Sequence, residues 1–330
     1  MRTVIASLAI AFFLAFTPAQ AETPPQDQGH ELLEKELMQR WAQINDVAWP
    51  LLASNYELCT DIQGWLPGFS AMTLPDGTGQ VVFHVASGSP AALAGLQTGD
   101  VVTAVNGHAT THRRSERAET NYKRRLGDGL ESGQPLQVTA TRGAEPFTAE
   151  ISPVQGCDIE LVYTGTATPS MSNERQLMLG TIMENYVRTE DETRLYLARE
   201  FARVILDQAG SNRRFGRGMG AVMGVASRIT GHDMDNAYAN RAIGNMFRGK
   251  KQDEAADELS LYLAARAGVD ISQAPLFWEH VFDNRTGNAT VGRLFGTSPG
   301  SPERLEGFQQ VAEHIAELQQ TGQPLFPSES

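Results

Sequence analysis

Residues 85–107 read VASGSPAALAGLQTGDVVTAVNG. Ser89 stands just before Pro90-Ala91-Ala92. A serine hydroxyl in that place caps the free N–H groups of a short helix, and proline suits the first turn. Gly95 and Gly99 punctuate the turn that follows, and residues 101–105 (VVTAV) have the β-branched character of a strand. Asn106-Gly107 closes that strand with the pair that tolerates left-handed backbone in a tight hairpin turn. Just upstream, residues 80–85 (QVVFHV) form a second strand. From Asp61 to Pro153 the chain keeps this character, with short β-like runs separated by Gly and Pro.

In this order the elements resemble a PDZ domain. The resemblance covers about residues 61–154 and is similar to the circularly permuted type found in exported bacterial proteases. It implies that an extended peptide adds as a strand to a sheet edge. The carboxylate-binding turn falls on Leu66-Pro67-Gly68-Phe69, the receiving strand on residues 70–74 with Ser70, Ala71 and Met72, and the facing helix within residues 115–126. Pro67 departs from the pattern because it removes one N–H donor from the turn. The alternative is a PDZ fold used only for packing or gating. Arg113, Arg114, Arg117, Lys123, Arg124 and Arg125 form a basic cluster interleaved with Glu116 and Glu119. It is either a solvated helix face or a contact for an anionic partner.

Working outward to the N-terminus, residues 1–21 read as a secretory signal peptide. Arg2 supplies the positive start, residues 4–16 the apolar centre, and Ala19-Gln20-Ala21 the small-residue cleavage signal. Its apolar centre is shorter than the roughly 20 residues of a membrane span. Cleavage before Glu22 would leave a protein without a transmembrane span, periplasmic or secreted; the alternative is an uncleaved anchor helix. Residues 22–60 read as a Pro- and Gln-rich leader (22–29) and an amphipathic helix over 30–49, interrupted by Pro50. Export makes Cys59 and Cys157 a candidate disulfide that staples both ends of the β-rich segment, the alternative being two unrelated buried thiols. These are the chain's only 2 cysteines, which excludes a Cys-rich zinc site. A net charge of −12 argues against a general nucleic-acid binder, and 41% hydrophobic residues supply enough material for real cores.

Beyond Ile159 the pattern predicts one strand and then mostly helix. Residues 195–208 read LYLAREFARVILDQ, with Leu195, Ala198, Ala202, Ile205 and Leu206 near one helical face. Arg199 and Arg203 are four apart and share a side of the helix, with Glu200 between them. That spacing is the one in which H-E-x-x-H binds zinc through two imidazoles and activates water with its Glu. Three later segments follow in order: residues 252–270 (QDEAADELSLYLAARAGVD), residues 275–279 (PLFWE), and residues 296–299 (GTSP) with 302–305 (PERL).

Together the four segments, over about residues 158–318, resemble the HExxH zinc metallopeptidase family that includes HtpX and the CAAX prenyl proteases, in its soluble exported form. The resemblance implies that the two zinc-binding histidines fall on Arg199 and Arg203, and the water-activating Glu on Glu200. The third ligand falls on Asp253, the Asp of the same E-x-x-x-D motif on Asp257, and a further histidine on Ser298. Arginine has no free lone pair and stays protonated, so it cannot ligate zinc. Asp253 reaches one methylene less far than Glu. The expectation is therefore a vestigial centre (Arg199, Glu200, Arg203, Asp253, Asp257, Ser298) with no cofactor. In it Arg199 and Arg203 bridge to Asp253, with Glu200 as a second partner; the alternative is two arginines pointing to solvent.

The sequence thus predicts an α+β protein. It has a PDZ-like β-barrel or sandwich module (61–154), a mainly helical, degenerate zincin-like metallopeptidase domain (155–320) and a frayed tail (321–330). The function read from this is peptide or envelope-protein binding as an adaptor or regulator; the alternative is an active zinc endopeptidase with unorthodox ligands. Residues 215–224 (FGRGMGAVMG) follow no strand and lack a Lys-Ser/Thr, which argues against a nucleotide loop.

Overall fold

The computed structural model describes residues 25–59, 62–167, 170–173, 175–209, 250–286 and 302–327. Residues 1–36 form a unit of their own, to which only the start of the first helix contributes described backbone; residues from Leu37 onward form a second, single unit. Among the described residues no helix is long and apolar enough to cross a membrane.

Helix α1 spans Pro25–Ala53. Two expectations are corrected here. Part of the segment read as a leader is already helical, and Pro50 lies inside the helix instead of ending it. The reason is packing: Ile44, Ala48, Leu51 and Leu52 are all buried, so the apolar stripe continues past the proline and holds the last turn in place. Asn55, wholly buried, donates to Leu51 O at 2.8 Å and to Leu263 O at 3.0 Å, which ties the end of α1 to the helical region.

After a 3-10 turn (Tyr56–Leu58), strand β1 (Gln63–Leu66) pairs antiparallel with β8 (Val154–Cys157). The chain enters and leaves the β-rich segment through this two-stranded neck. At its base Cys59 and Cys157 form a buried disulfide with Cα atoms 5.5 Å apart. Between the neck strands lies a six-stranded sheet of β2 (Phe69–Thr73), β3 (Gln80–Val85), β4 (Val101–Val105), β5 (His108–Ala109), β6 (Leu136–Arg142) and β7 (Glu145–Ile151). The order is β2-β3-β4-β6-β7, with β5 hairpinned onto β4. Helices α2 (Pro90–Leu93) and α3 (Ser115–Glu131) complete the domain. Leu136, Val138 and Ala140 alternate inward on β6, Ala149 and Ile151 on β7, and Ala118 and Tyr122 on α3 point the same way.

The local signals read from residues 85–107 recur as geometry. Ser89 Oγ accepts from Ala92 N at 3.3 Å. Asn106 and Gly107 both take positive φ, 49° and 74°, in the β4–β5 turn. Asp100 accepts from Gln97 N at 2.7 Å and from Arg142 at 2.8 and 2.9 Å. Burial pushes the Asp100 carboxyl upward, but the bonds from Arg142 and Gln97 outweigh it and hold it below its ordinary range.

The single strand expected after Ile159 is corrected to a three-stranded sheet. Strand β9 (Glu160–Tyr163) pairs parallel with β11 (Gln176–Leu179), and β10 (Met171–Asn173) pairs antiparallel with β11. These strands are three or four residues long, too short for a period-2 pattern to stand out. Trp41 on α1 joins this sheet to the PDZ-like one: its Nε1 donates to Leu161 O at 2.8 Å and its ring sits 4.5 Å from that of Phe83. Among the described residues four helices follow: α4 (Glu190–Ala209), α5 (Lys250–Arg266), α6 (Ala274–Thr286) and α7 (Pro302–Thr321). Helix α4 is buried on more than the one face expected, because Leu197, Phe201 and Val204 are inside as well. The fraying expected of the tail does not hold for its described part: Arg266 donates to Leu325 O at 3.2 Å and stacks on Phe326.

Candidate functional site

Helices α4 and α5 present their charged residues to each other, and α7 closes over them. Arg199, a wholly enclosed side chain at 1% exposure, donates through Nε to Asp257 Oδ1 at 2.7 Å. Its Nη2 reaches Asp253 at 3.4 Å, and its Nη1 lies 3.8 Å from Glu200. Arg304 on α7 grips the same aspartate, donating through Nε to Asp257 Oδ2 and through Nη2 to Oδ1, the latter at 2.9 Å. Asp257 is thus the hub, clamped by one arginine from α4 and one from α7. Arg203 is more exposed and lies 3.6 Å from Glu200.

Below the charges lies an aromatic floor. The Arg199 guanidinium sits 5.5 Å over Trp278, and that of Arg304 4.5 Å over Phe282. Trp278 stacks in turn on Phe308 and Phe282. Planar guanidinium groups suit such a floor, which supplies attraction where water is excluded. Burial disfavours the charge on Arg199, yet Asp257, Glu200 and Asp253 more than restore it, so its pKa rises above the ordinary arginine value.

Of the six residues read as a vestigial centre, five come together here, and Ser298 lies outside the described residues, as does the 215–224 segment. The partner assignment is corrected. Arg199 pairs chiefly with Asp257 rather than Asp253, and among the described residues Arg203 reaches Glu200 and not α5. The reason is depth: Arg199, Glu200 and Asp257 are buried, whereas Asp253 and Arg203 keep about a fifth of their side chains exposed. Arg304 was visible only as part of residues 302–305. Its signal is a basic residue beside Leu305 and four places before the buried Phe308. Zinc does not fit this set. Each carboxylate faces a guanidinium, and among the described residues no three His, Cys, Asp or Glu side chains converge on a point.

The second candidate region is the β2 edge. Among the described residues strand β2 pairs on one side only, with β3, and a bulge falls between Ser70 and Ala71. Gly68 holds φ at 80°, and its carbonyl accepts from Ala86 N at 2.9 Å and Ser89 Oγ at 3.0 Å. Phe69 and Ala71 pack with the PDZ-like core, whereas Met72 is 41% exposed. Leu66 is corrected: it lies on the neck strand β1, paired with Val154, and packs with the helical core and not at the β2 edge. Helix α3 runs alongside β2, with its start near the β2–β3 turn and its end near Trp65.

A family profile described as "PDZ domain" matches residues 81–117, so the chain contains a PDZ domain. One curated relative, "Metalloendopeptidase OMA1, mitochondrial" of Danio rerio, is 28% identical over 91 residues, 23% of this chain. The match spans 19% of that relative's length. Two solved structures are also similar. The HtrA3 PDZ domain bound to a phage-derived ligand (FGRWV) has 24% identity and TM-score 0.23, covering 28% of this chain and 88% of that one. The serine endoprotease from Yersinia pestis has 23% identity and TM-score 0.20, covering 28% of this chain and 29% of that one. The chain therefore combines helix and sheet, with a PDZ domain and a weak likeness to a metallopeptidase.

Proposed function

We propose that this protein is an exported, non-catalytic relative of the HExxH metallopeptidases, of the HtpX and CAAX protease type. Its PDZ domain binds extended peptide segments, and the whole acts as an adaptor or regulator in the periplasm or outside the cell. The observation that carries the reading is the Arg199–Asp257–Arg304 clamp. A permanently protonated guanidinium fills the position that the family resemblance gives to a zinc-binding imidazole, and it holds together helices a metal would otherwise cross-link. Glu200 lies between two arginines, 3.8 Å from Arg199 and 3.6 Å from Arg203, and offsets their charge. The unpaired β2 edge supports the peptide-binding half, because strand addition needs free main-chain donors and acceptors. Residues 1–21 support export.

The test uses the full mature chain. Incubation with zinc, desalting and elemental analysis should leave no stoichiometric metal, and unfolded substrate proteins should survive with or without chelator. A peptide display screen should return ligands that R199H/R203H/D253E also binds. One retained zinc with chelator-sensitive cleavage would instead identify an active endopeptidase. A screen that returns no ligand would reduce the PDZ domain to a packing element.

A further inference from the structure

The proposed peptide site has two unlike ends. The turn formed by Pro67 and Gly68, between β1 and β2, lies at the start of β2. At the far end, the β2–β3 turn is tied to the segment leading into α3: His112 N donates to Gly77 O at 2.9 Å, and a Cβ on Gly77 would collide with His112 O at 1.9 Å. Arg113, Arg114 and Arg117 therefore sit where β2 finishes. All three are exposed, and among the described residues no carboxylate pairs with any of them. Farther along α3, Lys123 pairs with Glu119 at 2.7 Å and Arg125 lies 4.0 Å from Asp128. Arg124, also exposed, bonds Asn121 at 3.5 Å and no carboxylate. Three of these four cations without a carboxylate partner thus cluster at the start of α3, where Glu116 is the one acidic residue of the first turn.

Helix stability does not account for that placement. Cations at a helix N-terminus oppose the positive end of the helix dipole and are mildly unfavourable there. A positive cluster kept against its own helix, in a chain of net charge −12, points to an anionic ligand. A peptide whose C-terminus lies at the Pro67-Gly68 turn runs antiparallel to β2. At about 3.3 Å per residue, its fifth and earlier residues from the end leave β2 beside these arginines.

We infer that the ligand is an extended C-terminal peptide with Asp or Glu at the fifth to eighth positions from its end. The inference rests on the strand-addition reading above. The experiment measures fluorescence polarisation of labelled ten-residue peptides with the full chain. The peptides share an apolar C-terminal tetrapeptide taken from the display screen and differ only upstream: acidic, neutral amide or basic. The acidic peptide should bind roughly three- to tenfold more tightly than the neutral one in low salt, and the gap should close as salt rises. R113E/R114E/R117E, with its fold checked by circular dichroism, should reverse the order so that the basic peptide binds best. Equal affinities for all three peptides, or a preference that survives the triple variant, would overturn the inference while leaving peptide binding intact. Binding to vesicles of anionic lipid in place of any peptide would overturn it in favour of a membrane contact. If none of the peptides binds, strand addition itself fails and the inference falls with it.

Discussion

Asp100 in the PDZ domain and Asp257 in the helical region are both buried aspartates held by arginine, yet their settings differ. Arg142 keeps 46% of its side chain exposed while it closes the loop that carries Asp100. Arg199 and Arg304 are enclosed and lie over aromatic rings, so neither can exchange Asp257 for water. The first pair wires a loop to a strand with one end in solvent. The second is a component of a core. The difference teaches that an ion pair's consequence depends on whether a partner left behind can be rehydrated.

The largest effect is expected at the hub. Asp257→Ala leaves two enclosed guanidinium groups without their shared carboxylate and should cost about 3–5 kcal/mol in denaturant unfolding, or prevent folding altogether. A loss below about 1 kcal/mol would mean that the clamp is not part of the core. Next comes the staple between the two regions. Cys59→Ala with Cys157→Ala opens a link across 98 positions and should cost about 2–5 kcal/mol, read as a lower urea midpoint that reductant does not change further.

Asp100→Asn should cost less, about 1–2 kcal/mol, because Arg142 returns to water. Its pH dependence carries the sharper signature. The folded carboxyl has a lowered pKa, so its contribution is fully present above the unfolded value near 3.9 and is lost as pH falls through the folded value. Unfolding midpoints of Asp100→Asn should therefore decline less steeply below about pH 4 than those of the parent chain. The smallest effect belongs to Arg203→Ala, under about 1 kcal/mol, since its contact with Glu200 is long and partly solvated. If Arg203→Ala proved as damaging as Arg199→Ala, the distinction between core and rim arginines would collapse.

What could be read in the sequence follows from the range of each interaction. The Ser89 cap and the Asn106-Gly107 turn are set within a few residues, so they were legible. The cysteine pair was legible because the expectation of export, with a count of two, leaves one connectivity. The meeting of Arg199 with the acidic face of α5 followed from the spacing of the motif the sequence resembles, but the choice of Asp257 over Asp253 did not. That choice depends on how deeply α5 sits against α4, and on Arg304 arriving from α7, 47 positions beyond Asp257. Pro50 misled for the same reason: a local helix breaker is overridden when the residues after it are needed in the core. Leu66 was assigned to the peptide turn by its position, whereas pairing with Val154 makes it part of the neck.

The central claim is that guanidinium groups stand where a metal would have to be. Thermal unfolding of the full chain with saturating zinc, and again with chelator, tests it directly, because any ligand bound only by the folded state raises the midpoint. The account predicts superimposable curves for the natural sequence. A zinc-dependent rise that chelator abolishes would contradict it.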